Sequence, residues 1–211
     1  MSFIKCNLCQ GNTQLFCQGR HGEYLICNQC RGVLLSPKYL PTPEAEKARY
    51  ETHNNDVKDV RYQRFVSPIV NQVLAECGSQ DQGLDFGCGT GPVIHYLLQQ
   101  EGYSITQYDP FFCNQPEVLN QTYDYIICCE VIEHFHNPRQ EFSQLYSLLN
   151  SRGKLYCMTD LFTEKIDFEN WSYKDDFTHV FFYSPETIQW IQQEYGFTNA
   201  EIKGRLIILE K

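Results

Sequence analysis

No apolar run in the 211 residues approaches the ~18 needed to cross a bilayer, so nothing in the chain reads as a membrane span. The opening residues Met1-Ser2-Phe3-Ile4-Lys5-Cys6 lack the charged and apolar regions of a secretory leader. Together these absences predict a cytoplasmic protein. Positive charge is also scarce: 17 Lys and Arg stand against 26 Asp and Glu, a formal charge of −9. Phosphate backbones need local positive charge, so a broad nucleic-acid surface is disfavoured. There is no internal repeat and no low-complexity segment. With 42% hydrophobic and 20% charged residues, the composition is that of a globular protein rather than a disordered one. The length suits one full domain plus a small appendage.

Cysteine, by contrast, is plentiful. Five of the eleven lie in the first thirty residues, while Cys88, Cys128, Cys129 and Cys157 sit in apolar, strand-like runs. In a reducing compartment the first group reads as metal ligands and the second as small buried hydrophobes. Cys6-x-x-Cys9 and Cys27-x-x-Cys30, separated by seventeen residues, match a four-cysteine zinc ribbon. About thirty residues cannot build an adequate core alone, so Zn2+ would supply much of the folding free energy of residues 1–36. Cys17 and His21 are alternative ligands without paired spacing. Residues 37–66 read as a connector or cover, with Glu44 to Tyr50 helical and a polar cluster of Tyr50, His53, Asn54, Asn55 and Asp56 beside Tyr62 and Phe65.

A helix is expected over Ser67 to Glu76, and then comes the most informative segment: Leu84-Asp85-Phe86-Gly87-Cys88-Gly89-Thr90-Gly91-Pro92. An apolar strand runs into a glycine turn and on into the amphipathic helix Val93 to Gln100. A dinucleotide fold wants G-x-G-x-x-G, with pyrophosphate on the helix N-terminus. Here the glycines fall at 87, 89 and 91, and Asp85 would face a phosphate unfavourably. A ligand with a cationic amino group suits that carboxylate better.

Asp85-x-Gly87-x-Gly89-x-Gly91 resembles the first motif of class I S-adenosylmethionine methyltransferases. The strand Ser104 to Tyr108 ends at Asp109-Pro110, where that family places the acid that receives the ribose hydroxyls. Tyr123 to Glu130, followed by Val131-Ile132-Glu133-His134, resembles the family's fourth strand. The resemblance implies an α/β, Rossmann-like class I methyltransferase sheet over residues 67–211. It implies a cofactor site made by Asp85, Phe86, Gly87, Cys88, Gly89, Gly91, Asp109, Pro110, Phe111 and Glu130. Only thirteen residues lie between Asp109 and Tyr123, too few for a helix, a strand and a loop. The third strand is therefore expected to be missing or vestigial, with Phe111 and Phe112 as a substitute apolar wall for adenine.

The C-terminal half should carry the substrate determinants. A helix over Asn137 to Leu149 and a strand over Gly153 to Thr159 lead into a polar, aromatic insertion containing Trp171, Tyr173, Asp176 and His179. Ser184-Pro185-Glu186 then starts a helix. Trp171, Asp176 and Thr178-His179-Val180 resemble the signature of small bacterial methyltransferases that carry an N-terminal zinc ribbon. His53, Trp171 and Tyr173 are candidate substrate residues, and His134 and His179 candidate general bases, with His136 ranked below them. Glu130, Glu133, His134 and His179 also resemble the magnesium-binding set of small-RNA terminal 2′-O-methyltransferases, implying a possible second divalent site for Mg2+. The function expected is methyl transfer from S-adenosylmethionine to an oxygen or nitrogen of a small metabolite. The alternative is a non-catalytic zinc-ribbon protein that binds S-adenosylmethionine through a degenerate core.

Overall fold

The structure is a computed structural model that describes residues 4–53 and 55–211. The leader reading at Met1 to Phe3 and the place of Asn54 in the polar cluster lie outside the described residues. Three short strands come first: β1 (Thr13–Gly19), β2 (Gly22–Cys27) and β3 (Val33–Leu35). Helices α1 (Pro43–Tyr50) and α2 (Val60–Glu76) follow. The chain then alternates through β4 (Gly83–Phe86), α3 (Val93–Gln100), β5 (Ile105–Tyr108), β6 (Tyr123–Cys129), α4 (Pro138–Leu148) and β7 (Leu149–Met158). It ends with β8 (Phe181–Phe182), α5 (Pro185–Tyr195) and the hairpin β9 (Asn199–Lys203) and β10 (Leu206–Glu210).

The main sheet has six strands in the order β5-β4-β6-β7-β10-β9, parallel from β5 to β7 and antiparallel thereafter. Among the described residues no strand lies beyond β5. The interval after Asp109 holds only a short 3-10 turn, Pro116–Asn120, as its length predicted. Period-two alternation splits the sheet's side chains between two cores. Ile126, Cys128, Leu155, Cys157, Ile207 and Leu209 face α4 and α5, while Tyr125, Ile127, Tyr156, Met158 and Ile208 face α2 and α3.

α2 begins seven residues before the expected Ser67, at the Asp59 cap, whose carboxylate accepts from Arg61 N at 2.8 Å. Pro68 therefore stands inside the helix rather than at its start. Its ring deprives the Arg64 carbonyl of an amide donor, and Ser67 Oγ donates to that carbonyl at 2.8 Å instead. The extension moves Tyr62 and Phe65 from the connector onto a helix face. α5 carries a full capping box, with Ser184 and Thr187 bonding reciprocally.

The first thirty-six residues do not stand apart. β3 pairs with β8 from the far end of the chain, Val33 opposite Phe182 and Leu34 opposite Phe181. Cys6, Leu8, Cys27 and Cys30 belong to the same buried cluster as Phe142, Ile188 and Leu209. Thr187 Oγ1 donates to Cys30 O at 2.8 Å.

Candidate functional site

The four cysteines of the paired knuckles are buried, and their sulfurs all lie within 4.8 Å of one another. Cys9 Sγ and Cys27 Sγ are 3.2 Å apart, and Cys6 Sγ and Cys30 Sγ 3.7 Å. A tetrahedron with Zn–S bonds of ~2.3 Å has edges of about 3.8 Å, so the cluster is of the right size. Gly11 N and Gln29 N donate to Cys9 Sγ and Cys27 Sγ, as amides do around a thiolate cluster. Cys17 packs instead with Tyr24 and Phe168, and His21 Nε2 is 2.8 Å from Asp175 O, so neither joins the group.

A cavity of about 590 Å3 opens at the C-terminal ends of β4, β5 and β6. That volume lies in the range of small-molecule sites, ~300–1,000 Å3. Its floor is the glycine turn. Gly87 and Gly89 have φ of +82° and +64°, a region that favours glycine. A side chain at Gly89 would meet nothing nearer than Asn55 Nδ2 at 4.0 Å, which leaves the backbone open to a ligand. A Cβ at Gly91 would instead collide with the Asn55 carbonyl, because the connector lies directly on the turn. Cys88 lines the cavity rather than the core, which corrects its reading as a buried hydrophobe, while Cys129 both packs against the core and reaches the cavity. For Cys88 the reason is that it belongs to the turn and not to a strand.

Asp109 is held by three amides: Phe111 N and Phe112 N donate to Oδ1 at 2.8 and 3.1 Å, and Gly89 N to Oδ2 at 3.0 Å. A carboxylate offers about four acceptor positions, so one remains, on Oδ2. Asp109 therefore has room for one further hydroxyl donor. Asp85 lies beneath the turn, almost fully buried, and burial with Asp109 nearby pushes its pKa up to about 7. A cationic group above it would favour the ionised form.

The opposite wall carries the histidines. His134 and His179 are T-shaped with ring centroids 4.8 Å apart. His134 Nδ1 is 2.8 Å from Thr178 O and His179 Nδ1 is 2.6 Å from Tyr173 O. A carbonyl only accepts, so each Nδ1 carries the proton and each Nε2 is left with its lone pair. Burial lowers the pKa of both, that of His179 to about 3 with His134 adding to the effect, which keeps the rings neutral.

Glu133 is fully buried; its Oε1 accepts from Tyr173 Oη at 2.5 Å, and Oε2 has no partner among the described residues. Ligand atoms of Glu133, His134 and His179 lie within 4.8 Å of one another. Glu130, expected as a fourth member, lines the cavity but is not in this close group, its carboxylate being held by Arg205. Arg205 Nη2 spans its two oxygens at 2.8 and 2.7 Å, and its backbone sits at φ +54°, strained for a non-glycine residue.

Helix α1 closes the cavity from outside. Tyr50 stands 5.2 Å from the His134 ring and 5.9 Å from Phe111, and His53 lies beside it. Trp171 and Tyr173, expected on the wall, are not among the lining residues. Their rings lie tilted against each other at 5.3 Å beside the aromatic cluster of Phe168 and Phe182, and Tyr173 supports the carboxylates through its hydroxyl. Sequence reasoning missed Arg205, which nothing in its hairpin context marks, and also Glu141 and Gln144 on α4, which read as an ordinary helix surface.

The sheet order, the glycine turn after β4 and the acid after β5 define a Rossmann-like α/β fold of the class I methyltransferase type. Residues 59–202 match the model of a family described as a methyltransferase domain, and the chain belongs to that family. Among solved structures it is similar to human N-acetylserotonin methyltransferase in complex with S-adenosylmethionine (TM-score 0.55, 14% identity, 82% of this chain and 60% of that one). It is also similar to an O-methyltransferase family protein from Burkholderia thailandensis (0.51, 13%, 78% and 61%). A third is an S-adenosylmethionine-dependent methyltransferase from Archaeoglobus fulgidus (0.55, 17%, 71% and 94%). The chain thus spans about three fifths of the first two. At these identities the likeness is one of fold. No curated protein matches the chain in sequence. No helix among the described residues is long and apolar enough to cross a membrane.

Proposed function

We propose that the chain transfers the methyl group of S-adenosylmethionine to an oxygen or nitrogen nucleophile of a small metabolite. One observation carries this reading: a single cavity joins the glycine turn and Asp109 to two neutral imidazoles. The cofactor's sulfonium is already a good leaving group, so the protein's task is alignment. Asp109 anchors the ribose, Asp85 acts on the amino group electrostatically from beneath the glycine turn, and an Nε2 of His134 or His179 accepts the hydrogen of the attacking group. A cavity covered by α1 and a net charge of −9 favour a small acceptor over a nucleic acid. Incubation with methyl-labelled S-adenosylmethionine and fractionated metabolite pools tests this. Label in a small product that disappears with Asp109→Ala supports it. Tight cofactor binding without turnover on any pool would instead favour a non-catalytic binding protein.

We assign one structural zinc to Cys6, Cys9, Cys27 and Cys30, and divide the chain into a ribbon at 1–36, a connector at 37–66 and a methyltransferase domain at 67–211. Eleven thiols free of disulfides suit a reducing compartment, so the cytoplasm is the proposed location. The unpartnered Glu133 Oε2 favours one addition: Glu133, His134 and His179 fit a divalent ion such as Mg2+ or Mn2+. Bound there, the ion would polarise an acceptor hydroxyl. Titration with Mn2+ followed by electron paramagnetic resonance, repeated on Glu133→Gln, tests it. Equal binding by both proteins, or none by either, removes the ion from the site.

A further inference from the structure

One end of the cavity is not accounted for by the glycine turn, Asp109 or the histidines. It is lined by Phe86 and Tyr108 at the ends of β4 and β5, Leu119, Phe135, and Glu141 and Gln144 of α4. This end lies beside the edge of the sheet, where β5 has no further neighbour among the described residues. The short chain after Asp109 brings only the turn containing Leu119 to this place, and the polar groups come from α4. Glu141 and Gln144 are three residues apart and so share a helix face.

The walls of this end are flat and apolar. Phe86 lies 5.3 Å from Tyr108 and 6.4 Å from Phe135, ring centre to ring centre. Glu141 is half-buried, with no hydrogen-bond or ion-pair partner for its carboxylate among the described residues. Burial alone acts on it and raises its pKa. A half-buried acceptor beside aromatic walls suits a planar ring that carries an N–H donor. The position relative to Asp109 identifies the ring. With the ribose at the one free acceptor of Asp109, the methionine arm takes the glycine turn and the histidine side. The base is left with the side of Tyr108 and Leu119.

We infer that α4 holds the purine of S-adenosylmethionine, with Glu141 accepting from the exocyclic amine and Gln144 meeting the ring edge. This rests on the reading of the cavity as the cofactor site. It assigns adenine selectivity to a helix that packs against the sheet rather than to a loop beyond a third strand.

S-adenosylhomocysteine and its analogue with an unsubstituted purine differ only at this contact, an exocyclic amine in the first and a hydrogen in the second. Both are titrated by calorimetry into the zinc-loaded protein, into Glu141→Gln and into Glu141→Asp, with thermal unfolding run on each. The expected result is that wild type prefers the adenosyl ligand by about tenfold or more, the worth of one hydrogen bond to a charged group. Both variants should reduce that preference to about threefold or less while keeping the wild-type melting temperature. Glu141→Asp retains the charge but falls short of the amine, so it serves if Glu141→Gln does not fold. Preference unchanged in both variants overturns the inference and leaves the cofactor reading intact. If wild type binds neither ligand, it is the cofactor reading that fails.

Discussion

The two sheets of this molecule are held together by opposite means. The six-stranded sheet buries two apolar faces of its own, each covered by a pair of helices. The N-terminal sheet buries Tyr24, Ile26, Val33 and Leu35 against Phe162, Phe168 and Phe182, aromatics borrowed from the far end of the chain. It also carries four cysteines whose sulfurs lie within 4.8 Å of one another. The difference makes damage travel mainly in one direction. A lesion in the small sheet reaches β8, and with it His179 two residues earlier; a lesion in the glycine turn touches the cysteines only through the shared apolar cluster of Leu84 and Phe86.

The largest expected effect breaks the small sheet. Cys27→Ser should abolish stoichiometric zinc and lower the melting temperature by roughly 10 °C or more. Affinity for an acceptor should fall with it, because Val180 N donates to Glu133 O and Leu35 N to Val180 O along the strand that leaves His179. Metal analysis and scanning calorimetry check this. A melting temperature that does not move would make the ribbon a mere appendage and end the comparison.

Asp109→Ala is next and stays within the large sheet. Three amides lose their acceptor and the ribose loses its own, so affinity for S-adenosylmethionine should drop about 100-fold. Zinc content should not change. Calorimetry with metal analysis on the same sample reads both, and loss of zinc would show that the two regions are coupled in both directions.

The third effect is one of pH. Asp85 in the free protein titrates near 7, raised by burial and then by Asp109. The cofactor's ammonium favours the ionised carboxylate and itself stays largely protonated below pH 7.5. Affinity should therefore fall as pH drops from 7.5 to 5.5, approaching tenfold per unit at the lower end. Asp85→Asn should bind more weakly at pH 7.5 and give a flat profile. A profile equally steep in the variant would assign the proton to another group.

The same contrast explains what could be read in the sequence. Paired cysteines, the glycines at 87, 89 and 91, and Asp109 are local patterns in which spacing alone fixes the geometry. The missing strand was legible from chain length between two landmarks. What was not legible lies between distant segments: β3 against β8, Arg205 on Glu130, and α4 facing the cavity. Trp171 and Tyr173 were expected on the wall because polar and aromatic residues clustered there. Their rings instead fill the space between the sheets, a choice set by packing that no local pattern encodes. The helix expected from Ser67 starts earlier, at Val60, since Ser67 supplies the hydrogen bond that lets the helix pass through Pro68.

The smallest effect on stability tests a polar clasp between α1 and the histidine wall. Arg49 Nη2 donates to Asp176 Oδ2 at 2.7 Å, with the two side chains 34% and 14% exposed. A pair so placed contributes about 1 kcal/mol or less, so Arg49→Ala should shift the melting temperature by only about 2–4 °C. Its consequence for turnover should be larger. Asp176 Oδ1 accepts from Thr178 N and Oγ1 at 3.1 and 2.7 Å, and Thr178 O in turn receives the Nδ1 proton of His134. Releasing Arg49 loosens the carbonyl that orients this imidazole and the helix that brings Tyr50 over it. kcat should fall several-fold while the affinity for S-adenosylmethionine, set at the other wall, stays within about twofold. A loss of cofactor affinity with kcat unchanged would mean that α1 serves the glycine turn through Asn55 and not the histidines.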